Sequence, residues 1–143
     1  VINIAYPKFD FKIKQRDNKE IIYDEIRRSW FILTPEEWVR QNFIQYLIQT
    51  KKYPASLIAV EKEIAVGELR KRFDLVIYKN DKPWMIVECK QMGVLLSHNT
   101  ISQVLSYNSK IQATYIAVTN GNNTLLWQIA FDKITESNAL PDW

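Results

Sequence analysis

Phe9, Phe11 and Ile13 alternate with Asp10, Lys12 and Lys14, the period of two expected of a strand with one apolar face. A polar turn, Arg16-Asp17-Asn18-Lys19, leads into Ile21-Ile22-Tyr23, so the region from about 9 to 33 reads as an antiparallel β-ribbon. Trp30 to Leu33 is a short apolar run that ends at a helix start. Thr34 suits the N-cap, Pro35 the first helical position and Glu37 the third, which together make a capping box. Trp38, Val39, Phe43, Tyr46, Leu47 and Ile48 then recur at near-helical spacing until Lys51-Lys52 and Pro54 stop the helix. After Pro54 the period changes. Ser56 to Ile64, Phe73 to Tyr78 and Trp84 to Cys89 read as strands, with Asn80-Asp81-Lys82-Pro83 as turn chemistry between the last two. A helix fits Asn99 to Ile111, with Ile101, Val104, Leu105 and Ile111 on one face. Tyr115 to Thr119 and Thr124 to Ile129 are strands joined through Asn120-Gly121, and the tail from Ser137 reads as irregular. The order is ribbon, helix, three strands, helix, two strands, a mixed α/β domain with its core over about 34–130.

Composition narrows the chemistry. The chain has 143 residues, 47% hydrophobic and 24% charged, which fits one compact domain that needs no disulfides. Cys89 is the only cysteine and His98 the only histidine, so cysteine-based zinc clusters and multi-histidine metal sites are excluded. Three glycines cannot build a phosphate-binding P-loop or a dinucleotide fold, which removes ATP motors and NAD enzymes. No apolar run approaches the ~20 residues that span a bilayer, and no signal peptide is visible, so a reducing cytoplasm is expected. The chain opens at Val1 without a Met, as a trimmed chain or a piece of a longer one would. A net charge of +3 permits a nucleic-acid partner without demanding one.

The candidate chemistry lies on the central hairpin. Asp74 and Glu88 are each seven positions from Asp81. A hairpin symmetric about that residue brings the two carboxylates face to face, with Cβ atoms roughly 5 Å apart. Two oxygens at that spacing suit one hard divalent cation. Lys90 shares the Glu88 face, whereas Val87 and Cys89 point to the other, buried face. Close carboxylates repel and are costly in a half-buried site unless a cation lies between them. Such a cation can polarise a phosphodiester and activate a water that Lys90 would position. The plainer reading is a solvated cross-strand ion pair, the commoner origin of such spacing. On the second helix Gln103 and Tyr107, four apart, share one side and could reach toward the strand ends, or could simply form a polar helix edge.

Phe73-Asp74, Glu88-Cys89-Lys90 and Gln103-x-x-x-Tyr107 together resemble the PD-(D/E)XK nuclease superfamily, and the helix motif resembles its RecB-like branch. The wider text, Leu33-Thr34-Pro35-Glu36-Glu37-Trp38-Val39-Arg40-Gln41, Lys71-Arg72-Phe73-Asp74, Val87-Glu88-Cys89-Lys90 and Val118-Thr119-Asn120-Gly121, is similar to the N-terminal nuclease domain of type I restriction enzyme R subunits. The likeness spans about residues 20 to 130. It implies a restriction-endonuclease-like αβββαβ core and DNA cleavage dependent on Mg²⁺, with Mn²⁺ able to substitute, leaving a 5′-phosphate. It also implies Asp74, Glu88 and Lys90 as the catalytic trio, Gln103 and Tyr107 as assistants, and the Cys89 carbonyl as a metal ligand. Phe73 stands where the motif often has Pro, a common departure. R subunits carry a DNA motor that this chain lacks, so a motor or specificity subunit is an expected partner besides DNA.

Many members of that superfamily place an acidic residue on the first core helix near the metal, and Glu37 matches it as a further metal ligand; its capping role explains it equally well. Glu61 and Glu63 read as solvated strand charges. Arg70, Lys71 and Arg72, just before Asp74, are the best candidates for phosphate contacts, ahead of Lys51-Lys52 and Arg27-Arg28. His98 reads as idle and Cys89 as a small core residue. The rival reading is a non-cleaving module of the same fold that grips DNA or a partner, or that acts only with a motor or specificity subunit. Cleavage of both strands by a one-site protein would favour a dimer.

Overall fold

The computed structural model describes residues 1–131 and 133–143, apart from the side chain of His98, which the sequence reads as idle and which lies outside the described part. The elements run β1 (Ile2–Asn3), β2 (Ile13–Arg16), β3 (Lys19–Asp24), β4 (Ser29–Ile32), α1 (Pro35–Gln45), β5 (Ile58–Val66), β6 (Leu69–Lys79) and β7 (Lys82–Cys89). They continue with α2 (His98–Ile111), β8 (Tyr115–Thr119), β9 (Asn123–Ala130) and β10 (Lys133–Ser137). The main sheet is mixed, ordered β1-β9-β8-β7-β6-β5, with β10 also on β9. Among the described residues only β7 and β8, joined through α2, pair in parallel; the other pairs of this sheet are antiparallel. Strands β2, β3 and β4 form a separate three-stranded sheet.

The main sheet is buried on both faces, which explains why its central strands read as apolar runs rather than alternations. Val39, Phe43 and Ile44 of α1, with Leu47 just after it, cover Leu75, Ile77, Met85, Val87 and Cys89 on one face. Val104 of α2 covers Val76, Ile86 and Ile116 on the other, with Leu105 and Ile111 packed around them. Burial of each such side chain is worth about 1.5–3 kcal/mol. Helix α2 stops at Gln112, which takes a left-handed φ of 61°, and the Asn108 side chain clamps the exit by bonding both the N–H (2.9 Å) and the carbonyl (3.1 Å) of Ala113.

Several boundaries differ from the sequence reading. The N-terminal ribbon is three-stranded, because Ser29–Ile32 returns to pair with β3, while Phe9 to Lys12 lies outside any strand. Phe11 instead stacks edge-on against Trp38, 5.2 Å between ring centroids, so Trp38 faces that segment and not the main core. Helix α1 ends at Gln45 and continues as one π-helical turn, Tyr46–Thr50. Ala55–Leu57 forms a 3₁₀ turn before β5, and β6 begins at Leu69, four residues ahead of the apolar run. β10 occupies Lys133–Ser137, so only the residues after Ser137 are irregular.

The β6–β7 hairpin sets the register of the candidate site. Asn80 and Asp81 both have positive φ, 55° and 60°, the signature of a two-residue turn. Next to that turn Lys79 faces Lys82 and Tyr78 faces Pro83; farther along, Ile77 faces Met85 and Leu75 faces Val87. The shift means that Trp84 is an extra residue on β7, a β-bulge. Trp84 is held there by edge contacts with Tyr53, Tyr115 and Trp143. Without the bulge Asp74 would align with Val87. With it, Asp74 aligns with Glu88.

Candidate active site

The regular β6–β7 ladder ends at the Leu75–Val87 pair. Beyond it, the Asp74 carboxylate takes the place of a strand partner: its Oδ2 accepts the Cys89 backbone N–H at 2.7 Å. The chain then leaves β7 toward β8, with the Lys90 N–H donating to the Thr119 carbonyl at 2.8 Å. Asp74, Glu88, Cys89 and Lys90 therefore meet at one end of the sheet, where β6 and β7 part. Cys89 is buried, and burial together with the Asp74 charge pushes its thiol pKa well above the ordinary value, so the side chain is a neutral core group.

Glu88 is the unbalanced member. It is half-buried, and its Oε1 is enclosed without a hydrogen-bond partner among the described residues. Desolvation pushes its pKa up to about 8, with the neighbouring Asp74 adding to the shift and Lys71 and Lys90 opposing it. At neutral pH the pair holds one negative charge more easily than two, and a protonated Glu88 can donate to Asp74.

A buried ion-pair hub, built on Arg40 of α1, stands beside the pair. Its guanidinium bonds Asp74 Oδ1 at 3.0 Å, Glu37 Oε1 at 3.0 Å and Glu61 Oε1 at 3.4 Å. Burial works against that charge, yet Glu37 and Asp74 outweigh it and raise the Arg40 pKa. Arg27, from the loop after β3, bonds Glu37 at 2.9 Å and Asp24 at 2.7 Å, and its guanidinium lies over Phe31. Glu37 keeps half of the capping box. Its N–H donates to Thr34 Oγ1 at 3.0 Å, but the Thr34 N–H goes to the Ile32 carbonyl and the Glu37 carboxylate to Arg27, Arg40 and Gln41. Glu61 is not simply solvated, since a φ of 51° interrupts the β5–β6 pairing there while its carboxylate meets Arg27 and Arg40. Glu63 forms an exposed pair with Arg70.

The remaining sequence candidates separate. Tyr107 packs edge-on against Phe73, and Lys71 lies 5.5 Å from its ring centroid, which places both at the flank of the carboxylate pair. Gln103, one turn earlier, is exposed. Arg70 and Arg72 are also exposed. Among the described residues no three His, Cys, Asp or Glu side chains converge as a metal cluster. A groove of about 710 Å³ runs between Trp30, Phe31 and Ile32 of β4 and the hub residues Glu37, Arg40 and Glu61. A more apolar groove of about 560 Å³, between Phe9, Phe11, Trp38 and Met92, includes none of the carboxylate pair. Arg40 and Arg27 were the residues hardest to foresee. The one signal was Glu37-x-x-Arg40, a spacing that puts both on one side of a helix.

The fold and site define a mixed α/β domain with an acidic pair and a lysine at the parting of two central strands, backed by a buried arginine. The chain belongs to the family of the type I restriction enzyme R protein N terminus (HSDR_N), which it matches over residues 35–141. That membership places it with restriction systems. No curated protein matches the chain. Among the described residues no helix is long and apolar enough to cross a membrane.

Proposed function

We propose that this domain is a Mg²⁺-dependent deoxyribonuclease of PD-(D/E)XK type, working on DNA together with other subunits of a restriction system. The observation that carries the reading is the enclosed, partnerless Oε1 of Glu88 beside Asp74. Two carboxylates aligned by a dedicated bulge, with one oxygen unpaired, are costly unless a cation joins them. The donor set is all oxygen (Asp74, Glu88 and the Cys89 carbonyl) and fits Mg²⁺ or Mn²⁺ better than a softer ion. When bound, such an ion would polarise the phosphodiester and lower the pKa of a water. The order α1-β5-β6-β7-α2-β8 has the helix and strand sequence of a restriction-endonuclease αβββαβ core.

The protein's own residues have distinct roles on this reading. The Cys89 N–H and Arg40 hold both oxygens of Asp74 in a fixed orientation. Lys90 stands beside Glu88, where its ammonium can position the attacking water and offset charge on the phosphorane. Tyr107, resting on Phe73, and Lys71 border the place where the DNA backbone would lie, and Gln103 would join them only from its exposed position. The arrangement of Glu37 favours support of Arg40 over metal binding, because its carboxylate already has three donors.

One observation favours a second reading, a non-cleaving DNA- or partner-binding module. Arg40 bonds Asp74 Oδ1 at 3.0 Å and so already supplies that carboxylate with a positive charge from the protein itself. Nicking of supercoiled plasmid in Mg²⁺ or Mn²⁺, with an EDTA control, separates the two. Metal-dependent nicking lost in both Asp74→Ala and Lys90→Ala supports the nuclease. Full activity in Asp74→Ala would refute it, and absence of both nicking and calorimetric metal binding would favour the module.

A further inference from the structure

We infer that the outer face of the β2–β3–β4 sheet is a docking platform for the phosphate backbone of duplex DNA. The register places Lys14 beside Ile21, Arg16 beside Lys19, and Tyr23 beside Trp30. The Tyr23 N–H bonds the Lys12 carbonyl at 3.0 Å, so Lys12 extends the same row. Side chains directly opposite share a face, and one face therefore carries Lys12, Lys14, Arg16, Lys19, Tyr23 and Trp30 around the apolar Ile21 and Ile32. Neither carboxylate of the three strands is on it, because Glu20 and Asp24 have the opposite parity and Asp24 is buried against Gln41 and Arg27.

The aromatic residues hold the cations in place. Tyr23 and Trp30 meet edge to face, 5.4 Å apart. Lys14 Nζ stands 4.2 Å above the Trp30 ring centroid and Lys12 Nζ 5.5 Å above that of Tyr23. A lysine supported on a ring has less rotamer freedom to lose on meeting a phosphate. Because these lysines engage the rings, the face suits contact with phosphates rather than stacking of bases. Single-sign charge without a carboxylate complements a polyanion.

Position adds a second argument. Trp30 and Ile32, at the edge of this face, also line the groove that reaches Glu37, Arg40 and Glu61 beside Asp74. Duplex lying on the platform would thus continue along β4 toward the candidate centre. The inference rests on the proposed action on DNA, but it concerns where DNA is held and not whether it is cut.

Anisotropy of a labelled duplex, measured in EDTA so that the metal centre plays no part, tests it. The protein would be compared with a variant carrying Lys12→Gln, Lys14→Gln, Arg16→Gln and Lys19→Gln. At about 0.9 per phosphate contact, the variant's log–log salt slope should be shallower by roughly 3–4, and those contacts account for about a hundredfold fall in affinity between about 50 and 200 mM salt. These side chains are exposed, so an unchanged circular dichroism spectrum and melting point are expected. Equal affinity and slope in the two proteins would overturn the inference. So would tighter binding of single-stranded DNA of the same length, lost in Trp30→Leu, which would mean base stacking. Loss of nicking in Asp74→Ala with duplex binding intact would leave both readings standing, whereas nicking insensitive to Asp74 with a shallower slope in the quadruple variant would remove only the nuclease.

Discussion

Replacing Glu88 with Gln should stabilise the metal-free protein, and by more as the pH rises. Glu88 is moved from an ordinary 4.5 to about 8 by burial first and by Asp74 second. An acid whose pKa is raised by folding contributes its full stability below the unfolded value. That contribution is lost as the pH climbs from about 4.5 to about 8 and stays lost above it. At about 1.4 kcal/mol per pH unit the whole span corresponds to roughly 5 kcal/mol. Relaxation and water entry at an effective dielectric near 20 reduce the expected effect to about 2–3 kcal/mol. Gln keeps the size and removes the charge. Urea unfolding in EDTA should show the two proteins nearly equal at pH 5 and Glu88→Gln ahead by about 2–3 kcal/mol at pH 8.5. Subtracting the variant's profile isolates Glu88 from every other titrating group. A constant difference across that range, or a variant less stable at pH 8.5, would refute the argument that an ionised Glu88 is uncompensated.

Two further outcomes follow from the packing. Arg40→Met should cost about 3–5 kcal/mol by urea unfolding, since it leaves Glu37 and Asp74 charged and short of a partner; a loss under about 1 kcal/mol would mean that the hub is solvated in practice. Asn108→Ala removes both bonds to Ala113 at a buried helix exit and should cost about 2–4 kcal/mol, a loss that thermal unfolding will detect and that a neutral result would contradict.

The alignment of Asp74 with Glu88 was legible in the sequence, but it arises differently from the simple symmetry about Asp81. The tight Asn80-Asp81 turn by itself sets a register one residue off, and the Trp84 bulge restores it. Two local irregularities cancel, and a count of positions cannot distinguish that from a regular hairpin. The helices and central strands were legible because apolar periodicity follows burial, and burial follows the two helix layers. The third strand of the N-terminal sheet was less so. Ser29–Ile32 has two exposed residues flanking two half-buried ones and no alternation to mark it. Arg40 was barely legible for another reason: apart from Glu37, three positions earlier, its partners come from β5 and β6, and no linear motif joins residues brought together by tertiary packing. The same holds for the basic-aromatic face, whose cations are just before β2, on β2 and on β3 and whose rings are on β3 and β4.

The distribution of charge around the carboxylate pair bears on how many cations it would take. Asp74, Glu37 and Glu61 already share Arg40, and Glu37 and Glu61 share Arg27 as well. Each of these acids therefore already has a guanidinium partner. Glu88 has no such partner at its Oε1, and the two lysines that influence it, Lys71 and Lys90, leave its pKa raised. On the proposed reading, the pull on an incoming cation is therefore concentrated at Glu88, with Asp74 held ready by the Cys89 N–H. On that reading Arg40, bonded to Asp74 Oδ1, would stand in for the positive charge of a second ion. That geometry suits one divalent ion paired with one fixed guanidinium, in which the protein supplies the second positive charge from its own helix.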